Sequence, residues 1–202
     1  MSKMKNIDYK KYFKNKKITM MGLGLLGRGI AVAEFLAKCG AKLTVTDLKT
    51  EKELASSVKK LTKYNKNIRY VLGKHDLADF KNTDMVIKAA GVPLDSVYIK
   101  EARKNKIPIE MDASLFMKLA PGVTIVGVTG TRGKTMTTVA IYEILKKNLK
   151  DTKVFLGGNV RGGATLPLLE KTKKGDVVVL ELDSWQMQGF GESKISPQVA
   201  VF

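Results

Sequence analysis

The chain has 202 residues, enough for one large or two small domains with a genuine core. Its 44% hydrophobic and 27% charged residues suit a globular protein, and no apolar run reaches the roughly 18 residues of a membrane span. A formal charge of +17 invites a nucleic-acid partner, but the excess is dispersed lysine, with arginine only at positions 28, 69, 103, 132 and 161. With no helix-turn-helix, zinc-finger or aromatic RNA-binding signature, specific nucleic-acid binding is not expected. One cysteine, Cys39, cannot form an internal disulfide, and one histidine, His75, argues against a histidine-based zinc site. The lysine-rich N-terminus has no apolar signal core after it, so a reducing cytoplasmic location is expected.

In chain order, short β-rich runs alternate with amphipathic stretches. Strands are predicted at 17–22, 42–47, 68–73, 84–89 and 107–111, with helices near 25–39, 51–64 and 95–105 between them. A second series runs through strands at 123–130, 153–158, 176–182 and 197–202, with a helix near 134–149. This β-α-β rhythm predicts parallel sheets with helices on their faces. Pro121-Gly122, in "KLAPGV" (118–123), breaks a preceding helix and marks the hinge, dividing the chain into 1–120 and 121–202. Cys39 falls at a helix end, where a small packed residue is expected.

The first series opens with "MGLGLLGRGIAVAEFLAKCG", in which Gly22, Gly24 and Gly27 spell G-x-G-x-x-G between a strand and a helix. The first glycine suits a tight turn, the second a close approach of diphosphate, and the third close helix–strand packing. The helix N-terminus attracts the anion. Asp47, at the end of the second strand, is placed to accept a hydrogen bond from a ribose or a base. The motif suits NAD or another diphosphate-containing nucleotide.

The second series opens with "VGVTGTRGKTMTT", 126–138, which ends in Gly-Lys-Thr but has Val128 where the phosphate-loop pattern wants a glycine. The compact form T-G-T-x-G-K-T is met by residues 129–135, between an apolar strand and a helix. Backbone N–H groups of Gly130, Thr131, Arg132 and Gly133 can cradle phosphates; Lys134 reaches the terminal ones and Thr135 offers a hydroxyl to Mg²⁺. Glu181 ends the apolar run "DVVVLEL", where a carboxylate is costly without a cation or hydrogen-bond partner.

"GVTGTRGKTMTT", "GLGLLGRG" with Asp47, "KAAGVP", "GGNVRGGATLPLL" and "LELDSWQMQ" occur in one order from about Lys17 to Phe202. Together they resemble the Mur ligase family, which builds the peptidoglycan stem peptide, and within it the branch that adds D-glutamate. The resemblance implies an α/β fold: a Rossmann-like parallel-sheet domain that binds the UDP-linked substrate, then an incomplete P-loop-type ATP-binding domain. It implies ATP and Mg²⁺ as cofactors and UDP-N-acetylmuramoyl-L-alanine and D-glutamate as further ligands, and a monomer is expected. The diphosphate would lie on the backbone of Gly24, Leu25, Leu26 and Gly27, with Asp47 and Leu48 toward the uracil and Gly91 nearby. Asn159 and Gln186 would meet the muramoyl part, and Gly130 to Met136 would hold ATP. Lys134 and Glu181 would carry the catalytic charge, with Thr135 and Glu181 on the metal.

The sequence departs from the family's pattern at several places. Leu48 replaces a hydroxyl residue, Ala89 and Ala90 replace a Ser-Pro pair, Arg132 replaces asparagine, and Asp183 replaces a serine beside the magnesium carboxylate. "VRGGAT" lengthens the loop after Asn159 and offers Arg161 to a phosphate. The family's later metal-site residues and its amino-acid-binding domain have no counterpart up to Phe202, so an N-terminal portion of a longer enzyme, inactive alone, is expected. Two other assignments stay open: an NAD-dependent oxidoreductase using "GLGLLG" and Asp47, and a non-catalytic nucleotide-binding module.

Overall fold

A computed structural model describes residues 7–120, 122–160 and 163–202. Pro121 of the expected hinge and Arg161 of the lengthened loop lie outside them, as do residues 1–6 of the lysine-rich start. Contacts divide the chain into two compact units, one of Asp8–Asp112 and one containing Ala113–Phe202. The sequence places the boundary eight residues later, after Ala120; the helix Asp112–Leu119 falls almost wholly in the second unit.

The first unit begins with a short helix α1 (Tyr9–Phe13), which the apolar periodicity does not reveal. The Asp8 carboxylate caps it, accepting from the N–H groups of Lys10 and Lys11. Then come β1 (Lys17–Met21), α2 (Arg28–Lys38), β2 (Lys42–Asp47), α3 (Glu51–Lys60), β3 (Ile68–Leu72), β4 (Met85–Lys88), α4 (Val97–Lys104) and β5 (Ile109–Glu110). All pairings are parallel and the order is β3-β2-β1-β4-β5, so the chain reverses direction across the sheet at β1. A crevice at the carboxyl ends of β1 and its neighbours is the expected ligand position in such a sheet. One apolar cluster, Met21, Phe80, Val86, Ile99 and Ala102, anchors α4 to β1 and β4. Cys39 caps the C-terminus of α2 and is buried there, as its position in the sequence leads one to expect.

First-unit elements are mostly shorter than periodicity predicts, two of them for a visible reason. The helix expected over 51–64 ends at Lys60, and Thr62–Tyr64 form a 3-10 turn. The strand expected over 107–111 shrinks to Ile109–Glu110, because Pro108 has no N–H for the ladder and contributes only its carbonyl, to Val86 N at 2.9 Å.

The second unit contains α5 (Asp112–Leu119), β6 (Thr124–Val128), α6 (Lys134–Asn148), β7 (Val154–Gly158), β8 (Val177–Glu181), α7 (Ser184–Glu192) and β9 (Val199–Val201). Its four-stranded parallel sheet has the order β7-β8-β6-β9. Val126, Val128 and Val179 form its buried cluster, against which Ile141, Tyr142 and Leu145 of α6 pack. Helix α7 escapes the periodicity argument because Gly189 and Gly191 interrupt a helical pattern. A capping box starts it: Gln186 N donates to Asp183 Oδ1 at 2.8 Å, and Asp183 N donates to Gln186 Oε1 at 3.3 Å. Among the described residues, no helix is long and apolar enough to cross a membrane. Both units are thus α/β with parallel sheets, and the first has the Rossmann-like strand order.

Candidate functional site

The glycine-rich loop leaves β1 at the point where the strand order reverses. Its clamp is Asp47, at the end of β2 and 8% exposed. Asp47 Oδ2 accepts from Leu23 N at 2.9 Å and Gly24 N at 3.0 Å, and Oδ1 accepts from Lys49 N at 2.9 Å. A carboxylate has about four acceptor positions, so Oδ1 keeps one for a ligand after the loop has been fastened. Ser57 of α3 adds a second tie, donating to the Gly24 carbonyl at 3.1 Å. Leu25, Leu26 and Leu48 form an exposed apolar rim, Leu26 with 93% of its surface open.

The glycines divide their roles differently from the sequence expectation. Gly22 has φ +99° and a Cβ there would stand 2.8 Å from Ala89 Cβ, so it serves both a turn and a close approach. Gly27 has φ +89° but open space around a would-be Cβ; a left-handed helix N-cap, rather than packing, requires it. Close packing of helix against loop falls to Gly29, where a Cβ would lie 2.1 Å from the Leu23 carbonyl oxygen. The G-x-G-x-x-G pattern does not include this residue.

In the second unit the loop between β6 and α6 ends at Gly133, the left-handed N-cap of a 15-residue helix. Phosphate-binding turns of this kind combine free N–H groups with the positive end of the helix dipole. Lys134 Nζ donates to the Gly130 carbonyl at 2.9 Å, so the ammonium lies across the loop. Thr138, fully buried, donates to the Lys134 carbonyl at 2.7 Å. Thr131, Arg132, Thr135 and Met136 are all exposed around the turn.

Glu181 ends β8 directly beside that loop, since Val128 and Glu181 are register partners. It is 3% exposed, and its Oε2 is buried with no hydrogen-bond partner. A buried carboxyl oxygen left so carries a desolvation penalty, which a cation offsets. Among the described residues no cluster of three or more His, Cys, Asp or Glu side chains could hold a metal. A single buried carboxylate suits Mg²⁺, which takes one or two carboxylates and fills its octahedron with phosphates and water. Glu181 and the Thr135 hydroxyl are the residues that would hold it.

Asn159 follows β7, and its N–H donates to the Glu181 carbonyl at 2.7 Å, which ties its backbone to the end of β8. Gly158 permits this contact: it has φ +82°, and a Cβ there would meet that same carbonyl at 2.1 Å. Buried Thr165 accepts from Gly158 N at 3.0 Å and fixes the turn. Gln186 is buried, with its Oε1 engaged in the α7 cap, and Asp183 is its capping partner. Gly91 is exposed in the turn after β4. Gly24, Leu25, Leu26, Gly27, Asp47 and Leu48 thus gather in the first unit; Lys134, Thr135, Asn159 and Glu181 gather in the second. No motif points to Gly29, Ser57, Lys88 or Thr165: Ser57 meets Gly24 from 33 residues away, and the contacts of the other three depend on how a turn folds back.

Residues 16–110 match the family of Mur ligase MurD-like N-terminal domains. The chain is 45% identical over 175 residues to a UDP-N-acetylmuramoylalanine–D-glutamate ligase of Borreliella burgdorferi (strain ZS7), covering 87% of this chain and 37% of that protein. It is 41% identical over 187 residues to the enzyme of that name from Roseiflexus sp. (strain RS-1), covering 92% and 38%. Among solved structures, a UDP-N-acetylmuramate–alanine ligase from Thermotoga maritima is similar at 27% identity, with a TM-score of 0.49 over 92% of this chain and 40% of the other. The chain therefore spans little more than a third of the length of the relatives it matches. Residues 16–110, which hold the glycine loop and Asp47, therefore belong to the Mur ligase MurD-like N-terminal domains.

Proposed function

We propose that this chain supplies the UDP-precursor site and the ATP site of a D-glutamate-adding ligase in cytoplasmic peptidoglycan precursor synthesis. The observation that carries the ATP half is the orphaned Oε2 of Glu181, buried beside a loop with the T-G-T-x-G-K-T spelling. The relatives' names support the substrate half. In the proposed reaction the precursor's carboxylate attacks the γ-phosphorus of ATP, giving an acyl phosphate and ADP. The amine of D-glutamate then attacks the acyl carbon, phosphate leaves, and an amide remains. Activation is needed because an unactivated carboxylate offers only a very poor leaving group.

The chain's own residues contribute charge and position. Lys134, by exchanging the Gly130 carbonyl for a phosphate oxygen, would neutralise charge that builds during transfer. Mg²⁺, when bound, supplies further neutralisation at the phosphates. Asp47 holds the glycine loop in the shape that presents its backbone to the diphosphate.

Titration calorimetry on the chain with UDP-N-acetylmuramoyl-L-alanine, Mg-ATP and NADH tests this assignment. The first two should bind and NADH should not. In the same experiment Glu181→Gln should raise the Mg²⁺ concentration needed for ATP binding. Saturable NADH binding lost in Asp47→Ala, with no response to the precursor, would replace the ligase assignment by a dehydrogenase one.

A further inference from the structure

Lys88 is the last residue of β4 and is 3% exposed, although lysine is among the side chains least often buried. Met85, Val86 and Ile87 before it are all apolar and buried, as expected of an inner strand of a parallel sheet. A charged amine at the next position is costly unless it is hydrogen-bonded. Its Nζ donates to the Val92 carbonyl at 2.9 Å and lies 3.5 Å from the Ala90 carbonyl oxygen. The side chain therefore bends back over the turn that follows its own strand. That turn is also closed by Val92 N donating to the Ala89 carbonyl at 3.1 Å.

The turn lies against the glycine loop. Met21 and Lys88 are register partners, Ala89 N donates to the Met21 carbonyl at 2.8 Å, and Ala89 Cβ sets the close limit at Gly22. β1 and β4 flank the crevice where the strand order reverses. In a planar trans peptide the N–H points opposite to the C=O. Holding the Ala90 carbonyl toward the ammonium therefore turns the N–H of exposed Gly91 away from Lys88.

We infer that Lys88 is a positioning residue: it locks the Ala89–Val92 turn so that the Gly91 N–H faces an anionic ligand beside the glycine loop. The ligand class is a nucleoside diphosphate, and this rests on the UDP-precursor function proposed above. Lys88 does not touch the ligand; it acts through the backbone of the turn.

The test compares wild type with Lys88→Met, which keeps an unbranched apolar stem and removes the ammonium. Calorimetry should show about tenfold or weaker binding of UDP-N-acetylmuramoyl-L-alanine, the scale of losing one charge-assisted hydrogen bond, and unchanged Mg-ATP binding. Hydrogen exchange on the wild type supplies a measurement independent of the variant's folding: precursor should protect the Gly91 amide. Precursor affinity within twofold of wild type in a folded Lys88→Met chain would overturn the inference. So would precursor binding that leaves Gly91 exchange unchanged. A wild-type chain that binds no precursor would overturn the functional assignment itself and this inference with it.

Discussion

At the scale of single residues, the two loops place their charges in opposite ways. Asp47 spends three of its acceptor positions on backbone N–H groups of its own unit, so its first job is to shape a loop. Lys134 donates to the Gly130 carbonyl, and exchanging that acceptor for a phosphate oxygen gains a stronger charge-assisted bond. Such a bond is worth roughly 1.5–3 kcal/mol, so Lys134→Ala should weaken Mg-ATP binding by about ten- to a hundredfold. Calorimetry at fixed Mg²⁺ checks this; an unchanged affinity would remove Lys134 from the phosphate site.

At the scale of elements, Asp183 shows how a departure from a family pattern can be absorbed. Its carboxylate caps α7 in place of the expected serine, and both residue types accept well from helix N–H groups. Asp183→Ser should therefore leave stability nearly unchanged, whereas Asp183→Ala should cost about 1 kcal/mol, read as a lower unfolding midpoint in urea. The segment after β3 carries a pH dependence. His75 Nδ1 lies 2.7 Å from Thr46 Oγ1, and its ring packs edge-on to Phe80 and Tyr98. Burial holds its pKa below the usual 6.5, against a smaller opposing pull from the Asp47 carboxylate. Folding thus favours neutral His75, so its contribution is complete above pH 6.5 and is lost as pH falls through the lower folded-state pKa. His75→Gln should flatten the decline of the melting temperature below pH 6.5; an equally steep decline would mean that other groups govern it.

At the scale of the whole molecule, the two nucleotide loops belong to different compact units, each with its own parallel sheet. Their losses should therefore separate. Asp47→Ala should weaken the UDP precursor and spare Mg-ATP, while Lys134→Ala should do the reverse, since sites that share no partner behave independently. Equal weakening of both ligands by either variant would mean a shared site or general unfolding.

The sequence alone determined what is local. Eight strands fall within a few residues of their expected limits and the fifth shrinks to two, because alternation and apolar runs are short-range signals. The compact phosphate loop was legible because its glycines, lysine and threonine stand within seven consecutive residues, 129–135. The tertiary structure decided what depends on register. It made Asp47 a clamp on N–H groups 23 and 24 residues away, and passed the packing role from Gly27 to Gly29. It also left one oxygen of Glu181 buried and unpartnered beside Val128. The physical reason is that hydrogen bonds and the burial of charge are settled between segments, and their partners are known only once the strands have paired.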